Sequence, residues 1–308
     1  MIDHRLRVLR MVAARGTITA AARSLNYTPS AVSHQLRTLG QDLGVELLLP
    51  QGRGVRLTSA ARLLLDHADD LYARWEQIRA ELAASAEEGA DRLRLCGFST
   101  AAAVLLPQVA ARFLASHPRG EVRVVEEDPE TCFELLLADE ADIAVVVATE
   151  SLPPTNDRRF DQRPLLEDPL DLLVPAAHPL AQRHSVRLSQ TVDESWITDR
   201  PGRPYHQLVL TACAAAGFTP SVAHQSTEWE TGAALVAAGL GVALVPRLAR
   251  MPAGYPIVRV PLRGDPTPSR HILTAVRRGS RDHPTVADAL DALDQLARVH
   301  EDRRASEL

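Results

Sequence analysis

Proline divides this chain more sharply than any other feature. Of its 21 prolines only Pro29 and Pro50 precede residue 107. Proline has no backbone N–H and disfavours a helical residue before it. The first third can therefore run as nearly continuous helix, whereas the rest must break into strands, loops and shorter helices. Residues 85–91, polar and acidic, are the best linker between the two regimes. With 308 residues, two or more domains are expected, and 45% hydrophobic content is too apolar for disorder. No apolar run approaches the ~18 residues of a membrane span. The opening Met1-Ile2-Asp3-His4-Arg5 carries no apolar signal region, which sets a cytoplasmic expectation.

The helical third contains a recognisable module. Ile18, Ala21, Ala22 and Leu25 fall on one face of a short helix that Thr17 or Thr19 can cap. Asn26-Tyr27-Thr28-Pro29 then interrupts it. A second helix from about 30 to 42 buries Val32, Leu36, Leu39 and Leu43, and leaves Ser30, Ser33, His34, Arg37 and Gln41 on the opposite face. Short hydrogen-bonding groups and one guanidinium are what a helix lying in a major groove needs to read base edges. Leu47-Leu48-Leu49 and Val55-Arg56-Leu57 flank Pro50-Gln51-Gly52-Arg53-Gly54, giving a hairpin with Arg53 at its tip, able to approach phosphates or the minor groove. Thr28, Ser30, Ser33, His34, Arg37, Arg53 and Arg56 are the candidate DNA contacts. Taken singly, either helix is better read as part of a small helical bundle with a solvated polar face.

Charge agrees with the combination. Lysine is absent, so all 34 basic residues are arginine. Residues 1–65 hold nine arginines against Asp3, Asp42 and Glu46, a balance of +6, which leaves −11 for the remainder of a chain whose net charge is −5. A basic front joined to an acidic body points to an anionic partner for the front alone.

Thr58 can cap a helix reaching about residue 84. Ala61, Ala68, Trp75 and Leu82 repeat every seven residues, interleaved with Leu64, Leu71 and Ile78. Spacing alone fits packing on its own chain as well as on a partner. Beyond the linker, strand-like and helix-like runs alternate: 92–98, 101–116, 122–126, 131–138 and 142–147, a βαβαβ order that calls for a parallel sheet. A second set follows at 170–174, 205–216, 235–238 and 241–245, closed by 271–276 and an amphipathic run at 285–299.

At this point residues 1–65 resemble the DNA-binding head of LysR-type transcriptional regulators. The resemblance rests on Leu6-Arg7, Gly16-Thr17-Ile18-Thr19-Ala20-Ala21-Ala22, Ser30-Ala31-Val32-Ser33-His34-Gln35-Leu36, Leu43-Gly44-Val45-Glu46-Leu47 and Val55-Arg56-Leu57-Thr58. Three positions depart from the family: Gly40 stands where Glu is usual, Pro50 where Arg is usual and Ala61 where Gly is usual. Leu105-Leu106-Pro107, His117-Pro118, Asp142-Ile143-Ala144, His178-Pro179-Leu180-Ala181, Ala216-Gly217-Phe218 and 239–246 extend the resemblance into the body.

The resemblance implies an α/β chain in three parts. These are an N-terminal, mainly α winged helix-turn-helix (1–58), a linker and dimerisation helix with hinge (59–90), and a two-lobed α/β effector-binding domain resembling periplasmic binding proteins (91–308). Lobe I would take about 91–160 and 264–308, and lobe II about 161–263. It further implies double-stranded promoter DNA as a partner and a homodimer or homotetramer. Pairing would run through Leu64, Ala68, Leu71, Trp75, Ile78 and Leu82. RNA polymerase contact, a small-molecule effector between the lobes, no cofactor and no membrane complete the expectation.

Ser99 and Thr100 precede an expected helix, where hydroxyls and free N–H groups can cradle an anion such as a metabolite carboxylate, or simply cap the helix. Thr149, Thr198, Ser226 and Thr227 follow other strands, and Arg203 offers a counter-charge. An enzyme fits less well. Gly97-Phe98-Ser99-Thr100-Ala101 mimics a nucleophile elbow but lacks the last glycine, and phosphate-loop, dinucleotide and zincin motifs are absent. No catalytic or metal-ligating set emerges. A thiol switch, known in some relatives, has only Cys96, Cys132 and Cys213, which sit where buried thiols act as small apolar groups. The remaining alternatives are an effector-independent regulator whose body only oligomerises, and a solute-binding or hydrolase-like α/β protein.

Overall fold

The computed structural model describes residues 2–52, 54–85, 91–264 and 267–306. Arg53, at the expected wing tip, and residues 86–90 of the expected linker lie outside the described residues.

The front begins with three helices, α1 (His4–Arg15), α2 (Ile18–Ser24) and α3 (Pro29–Leu43). Each start is capped by a side chain: Asp3 accepts from the Arg5 N–H, Thr17 from Ala20 and Thr28 from Ala31, with Pro29 in the first turn of α3. Gly16 and Gly44 end α1 and α3 in the left-handed region, at φ 70° and 67°. Helix α1 escaped the periodicity reading because Leu6, Val8, Leu9, Arg10, Met11 and Val12 are all buried, leaving no clean polar face. Gly40 explains its own departure from the family pattern. A Cβ there would stand 2.6 Å from the Val45 carbonyl oxygen, so the corner after α3 closes only over a glycine.

Strands β1 (Leu48–Gln51) and β2 (Gly54–Leu57) form the antiparallel hairpin, in register from Leu48↔Leu57 to Gln51↔Gly54. Helix α4 (Ser59–Ser85) follows, its start capped by Thr58 Oγ1, which accepts from the Ala61 N–H at 3.0 Å.

The body continues with β3 (Arg92–Gly97), α5 (Ser99–Val104), α6 (Leu106–Ser116), β4 (Glu121–Glu126), α7 (Pro129–Leu137) and β5 (Ile143–Val147). The single helix expected over 101–116 is therefore two, divided at Leu105 because Pro107 begins a new helix. Then come β6 (Phe160–Pro175), two short 3₁₀ turns, β7 (Ser195–Thr198), α8 (Pro204–Ala215), β8 (Ser221–Gln225), α9 (Trp229–Ala237), β9 (Ala243–Pro246), β10 (Ile257–Pro261), β11 (Ser269–Arg277) and α10 (Pro284–Ser306). The run at 235–238 closes helix α9 and its cap, so it belongs to the helix that precedes β9.

The chain folds as two compact units. The first takes the described residues to Val146, Glu150–Leu165 and Leu273–Val299, so head, linker helix and first lobe belong together. Its sheet runs β11-β5-β3-β4, with β3 parallel to both β4 and β5, as the βαβαβ order required. One apolar cluster joins Leu9, Met11, Val32 and Leu36 of the head to Cys96, Cys132, Phe133 and Val146 of the body.

The second unit takes Val147–Thr149, Leu166–Ile272 and the chain from His300. There β6 is central, antiparallel to β10 on one edge and β9 on the other, while β7 and β8 pair in parallel. Trp196 and Leu172 sit in one of its cores, and Leu173, Val236 and Val245 in another. Strands β6 and β11 each begin in one unit and end in the other.

Candidate nucleic-acid interface and ligand site

Helix α3 presents the face that its spacing required except at its last residue, where Leu43, expected in the core, is exposed because the helix ends there at Gly44. Val32, Leu36 and Leu39 are buried, while Ser30, His34 and Arg37 are exposed. Thr28 Oγ1 holds the helix start and lies 3.0 Å from Ser30 Oγ; Ser33 Oγ donates to the Pro29 carbonyl at 2.9 Å. These local bonds order the hydroxyls at the tip of α3, the part of a recognition helix that meets base edges. Arg56 stands exposed on β2.

The arginines of the head divide into two kinds. Arg5 pairs with Asp3 and Asp42, both at 2.6 Å, and Arg10 with Asp69 at 2.8 Å beneath the Tyr72 ring. Arg62 donates to the Leu57 carbonyl at 2.9 Å. The guanidinium groups of Arg23, Arg37 and Arg56 bond to no described residue. Unspent cations on an exposed face are available to phosphates. Sequence reasoning missed Arg23, whose signal was its place on the polar side of α2.

Helix α4 splits the expected seam. Ala61 and Ala68 have no exposed surface and belong to the core of their own chain, so Ala68 has nothing to offer a partner. The alternation of sevens misled there because alanine packs equally well in either setting. Leu64 is half-buried against the same core. Leu71, Trp75 and Leu82 are 54%, 39% and 61% exposed, with half-buried Ile78 between them on one stripe. The inward face of this second half is polar instead. Buried Glu76 lies 3.4 Å from Arg277 and 3.2 Å from Arg79. Arg277 also reaches Asp142 at 3.1 Å and Asp139 at 3.2 Å, and Arg94 joins both of these carboxylates. Burial alone would raise the Asp142 carboxyl, but the Arg94 hydrogen bond and the Arg277 charge outweigh it and hold it below the usual range.

The expected effector residues fall into two sets. In the first unit, Ser99 opens α5 and is exposed, whereas Thr100 is buried with its hydroxyl lacking a hydrogen-bond partner among the described residues. In the second unit, Thr198 ends β7 and accompanies a residue that sequence reading missed, Asp199. Thr227 Oγ1 donates to Asp199 Oδ1 at 3.3 Å, and the Arg200 N–H donates to the same oxygen at 2.7 Å. Arg203 Nε lies 3.6 Å from Asp199 Oδ2, so its counter-charge faces a carboxylate of its own chain. His206 Nδ1 sits 3.1 Å from Thr198 Oγ1, and Ser226 Oγ donates to the Glu228 carbonyl at 2.8 Å. Thr149, also of this unit, follows β5 and is half-buried. The only signal for Asp199 was an acid directly after a strand end, where open α/β sheets place ligands.

Cys96, Cys132 and Cys213 are buried. Hydrogen bonding with Cys132 and burial push the Cys96 thiol far up, and burial pushes Cys213 up to about 12, which removes the thiolate that oxidants attack. Among the described residues no group of acids, histidines or cysteines is placed to hold a metal, and no helix is long and apolar enough to cross a membrane.

Two family descriptions match the chain. "Bacterial regulatory helix-turn-helix protein, lysR family" covers residues 4–62, and "LysR substrate binding domain" covers 86–298. LrrA of Synechococcus elongatus, described as a probable HTH-type transcriptional regulator, is 29% identical over 300 residues, 95% of this chain and 96% of its own. YcgK of Bacillus subtilis, an uncharacterized HTH-type transcriptional regulator, is 26% identical over 274 residues, 83% of each. Among solved structures, full-length OxyR from Pseudomonas aeruginosa superposes with a TM-score of 0.66 at 22% identity, covering 95% of this chain and 94% of its own. Full-length BenM gives 0.58 at 21%, covering 98% of each.

Proposed function

The chain belongs to the LysR family of transcriptional regulators, DNA-binding proteins with an effector-binding domain and no catalytic role, and from that premise we propose which residues do the work. Thr28, Ser30, Ser33, His34 and Arg37 of α3 read a major groove, while Arg56 of the wing grips phosphate. Arg53 keeps its expected part as a phosphate or minor-groove contact. The observation that carries this assignment is that Arg37 and Arg56, like Arg23, are exposed with no partner among the described residues, while Arg5, Arg10 and Arg62 are bonded within the chain. DNA selected from a random pool by the full-length protein tests it. Arg37→Ala must weaken that site, and an unaltered affinity refutes the docking of α3.

Two copies pair along the stripe Leu71, Trp75, Ile78 and Leu82, with Leu64 at its margin, to form a cytoplasmic homodimer that can assemble further into a tetramer at promoters and contact RNA polymerase. Four large apolar groups on one helical stripe support this reading. Trp75→Asp places a charge in that seam, and sedimentation should then show smaller species.

The effector is a small molecule with an anionic group. Within the first unit, Ser99 and Thr100 are its candidate polar contacts; within the second, taken by itself, they are Thr149, Thr198, Arg203, Ser226 and Thr227. The unpartnered Thr100 hydroxyl supports this assignment. A thermal-shift screen of small carboxylates tests it, since a ligand at one hundred times its Kd stabilises by about 2.7 kcal/mol. Ala at both Ser99 and Thr100 should abolish the shift; an undiminished shift removes these two residues from the site.

A further inference from the structure

The head is joined to the body of its own chain through α1 and α7. Arg7, Met11 and Arg15 recur every four residues and share one face of α1. On α7, Glu134 and the cap residue Ala138 are also four apart. Arg15 Nη1 lies 2.5 Å from Glu134 Oε1, and Ser24 Oγ donates to Glu134 Oε2 at 3.3 Å. Arg7 Nη1 donates at 3.1 Å to the Ala138 carbonyl, one of the groups that a helix end leaves without a helical partner. Met11, between the two arginines, is fully buried. Because Arg15 Nε also donates to Ser24 Oγ at 3.0 Å, one carboxylate holds the ends of both α1 and α2, the helices on which α3 rests. Burial pushes the Glu134 carboxyl up, against the opposing pull of Arg15 and Ser24.

We propose that Glu134 is a positioning residue for DNA recognition: the α1–α7 contact fixes how the head is oriented on its body, so the body sets the direction in which α3 approaches DNA. Thr28, Ser30, His34, Arg37 and Arg56 stay exposed while the contact is formed, so it orients the head without covering the face that meets DNA. The contact is built for this. Two arginines eight residues apart grip two points of one short helix, which fixes direction as well as distance. Charged and carbonyl partners make it specific in register, whereas a purely apolar patch tolerates sliding. This orientation matters to transcription only if α3 reads DNA as proposed above.

The full-length protein, Arg15→Glu, Glu134→Arg and the charge-swapped double variant provide the test. Amide hydrogen exchange in α1 and α7 should quicken about tenfold in either single variant and return to the parental rate in the swap. The parent protein then selects a site from a random DNA pool, and two base pairs are inserted between its half-sites, turning one about a fifth of a helical turn from the other. The parent should lose about tenfold in affinity. Arg15→Glu should lose less than about threefold, and the swap should regain the parental penalty, while binding to a single half-site is the same in all four proteins. Unchanged exchange in the single variants overturns the contact itself. Quickened exchange with an unchanged spacing penalty overturns the positioning role, and a swap that restores neither quantity does the same. A parent that selects no site refutes the DNA reading and the positioning role with it, while the exchange result still judges the contact separately.

Discussion

The buried arginines of the body and three exposed arginines of the head do opposite work, and the contrast is visible because no lysine shares the task. In the body, Arg94 and Arg277 sit among Glu76, Asp139 and Asp142, and Arg270 meets Asp168 at 2.6 Å with both side chains almost wholly buried. Arg247 reaches Asp171 at 2.7 Å, and Arg281 reaches Asp161 at the same distance. On the head, Arg23, Arg37 and Arg56 face solvent with no such partner among the described residues. A paired, buried guanidinium is committed to one geometry; an unpaired, exposed one is held for a ligand. Net charge therefore says less than pairing about where an anion binds.

The sharpest way to break the comparison is to remove a committed arginine. Arg277→Ala leaves the buried Glu76 and Asp142 short of a cation, and should cost about 3–5 kcal/mol in unfolding free energy. A cost under about 1 kcal/mol in chemical denaturation would mean that these pairs are incidental.

Acid should reach the same cluster next. Asp142 has a lowered folded pKa. Its contribution is therefore complete above the ordinary carboxylate range, near 3.9, and is lost as pH falls through its lower folded value. Circular dichroism should show Asp142→Asn to be less stable than the parent near neutrality, by about 1–3 kcal/mol. The gap should narrow as pH falls below about 3.9. A gap that persists in strong acid assigns the effect to packing.

For the reserved arginines, Arg37→Ala should cost about 1–3 kcal/mol in binding to a selected site and relax its sequence preference, while leaving the melting curve unmoved. Arg56→Ala should do least. Binding weakens evenly across sequences, and the logarithmic salt slope falls by about 1. If Arg56→Ala instead alters sequence preference, the wing reads bases, and the division between the two arginines needs redrawing.

Much of the head was legible because its rules are local. Thr28, Pro29 and Gly44 bracket α3 within seventeen residues, and capping and proline chemistry need nothing more distant. The alternating order of the body likewise announced a parallel sheet around β3. The rest depended on partners far apart in sequence. Glu134 matters because it meets Arg15, Asp199 because Thr198, Arg203 and Thr227 gather on it, and Arg277 because Glu76 lies 201 positions earlier. No periodicity encodes such meetings. Ala68 shows the opposite failure, a correct heptad position whose side chain is too small to reveal which neighbour it prefers.

The second half of α4 reverses the habit of a surface helix, which hides its apolar stripe and shows its charges. Here Glu76 is turned inward, while Leu71, Trp75 and Leu82 are turned out. On the proposed pairing, dilution itself becomes a perturbation. Each fall in protomer concentration uncovers three large apolar side chains, so the melting temperature of this regulator should depend on how many copies share the solution.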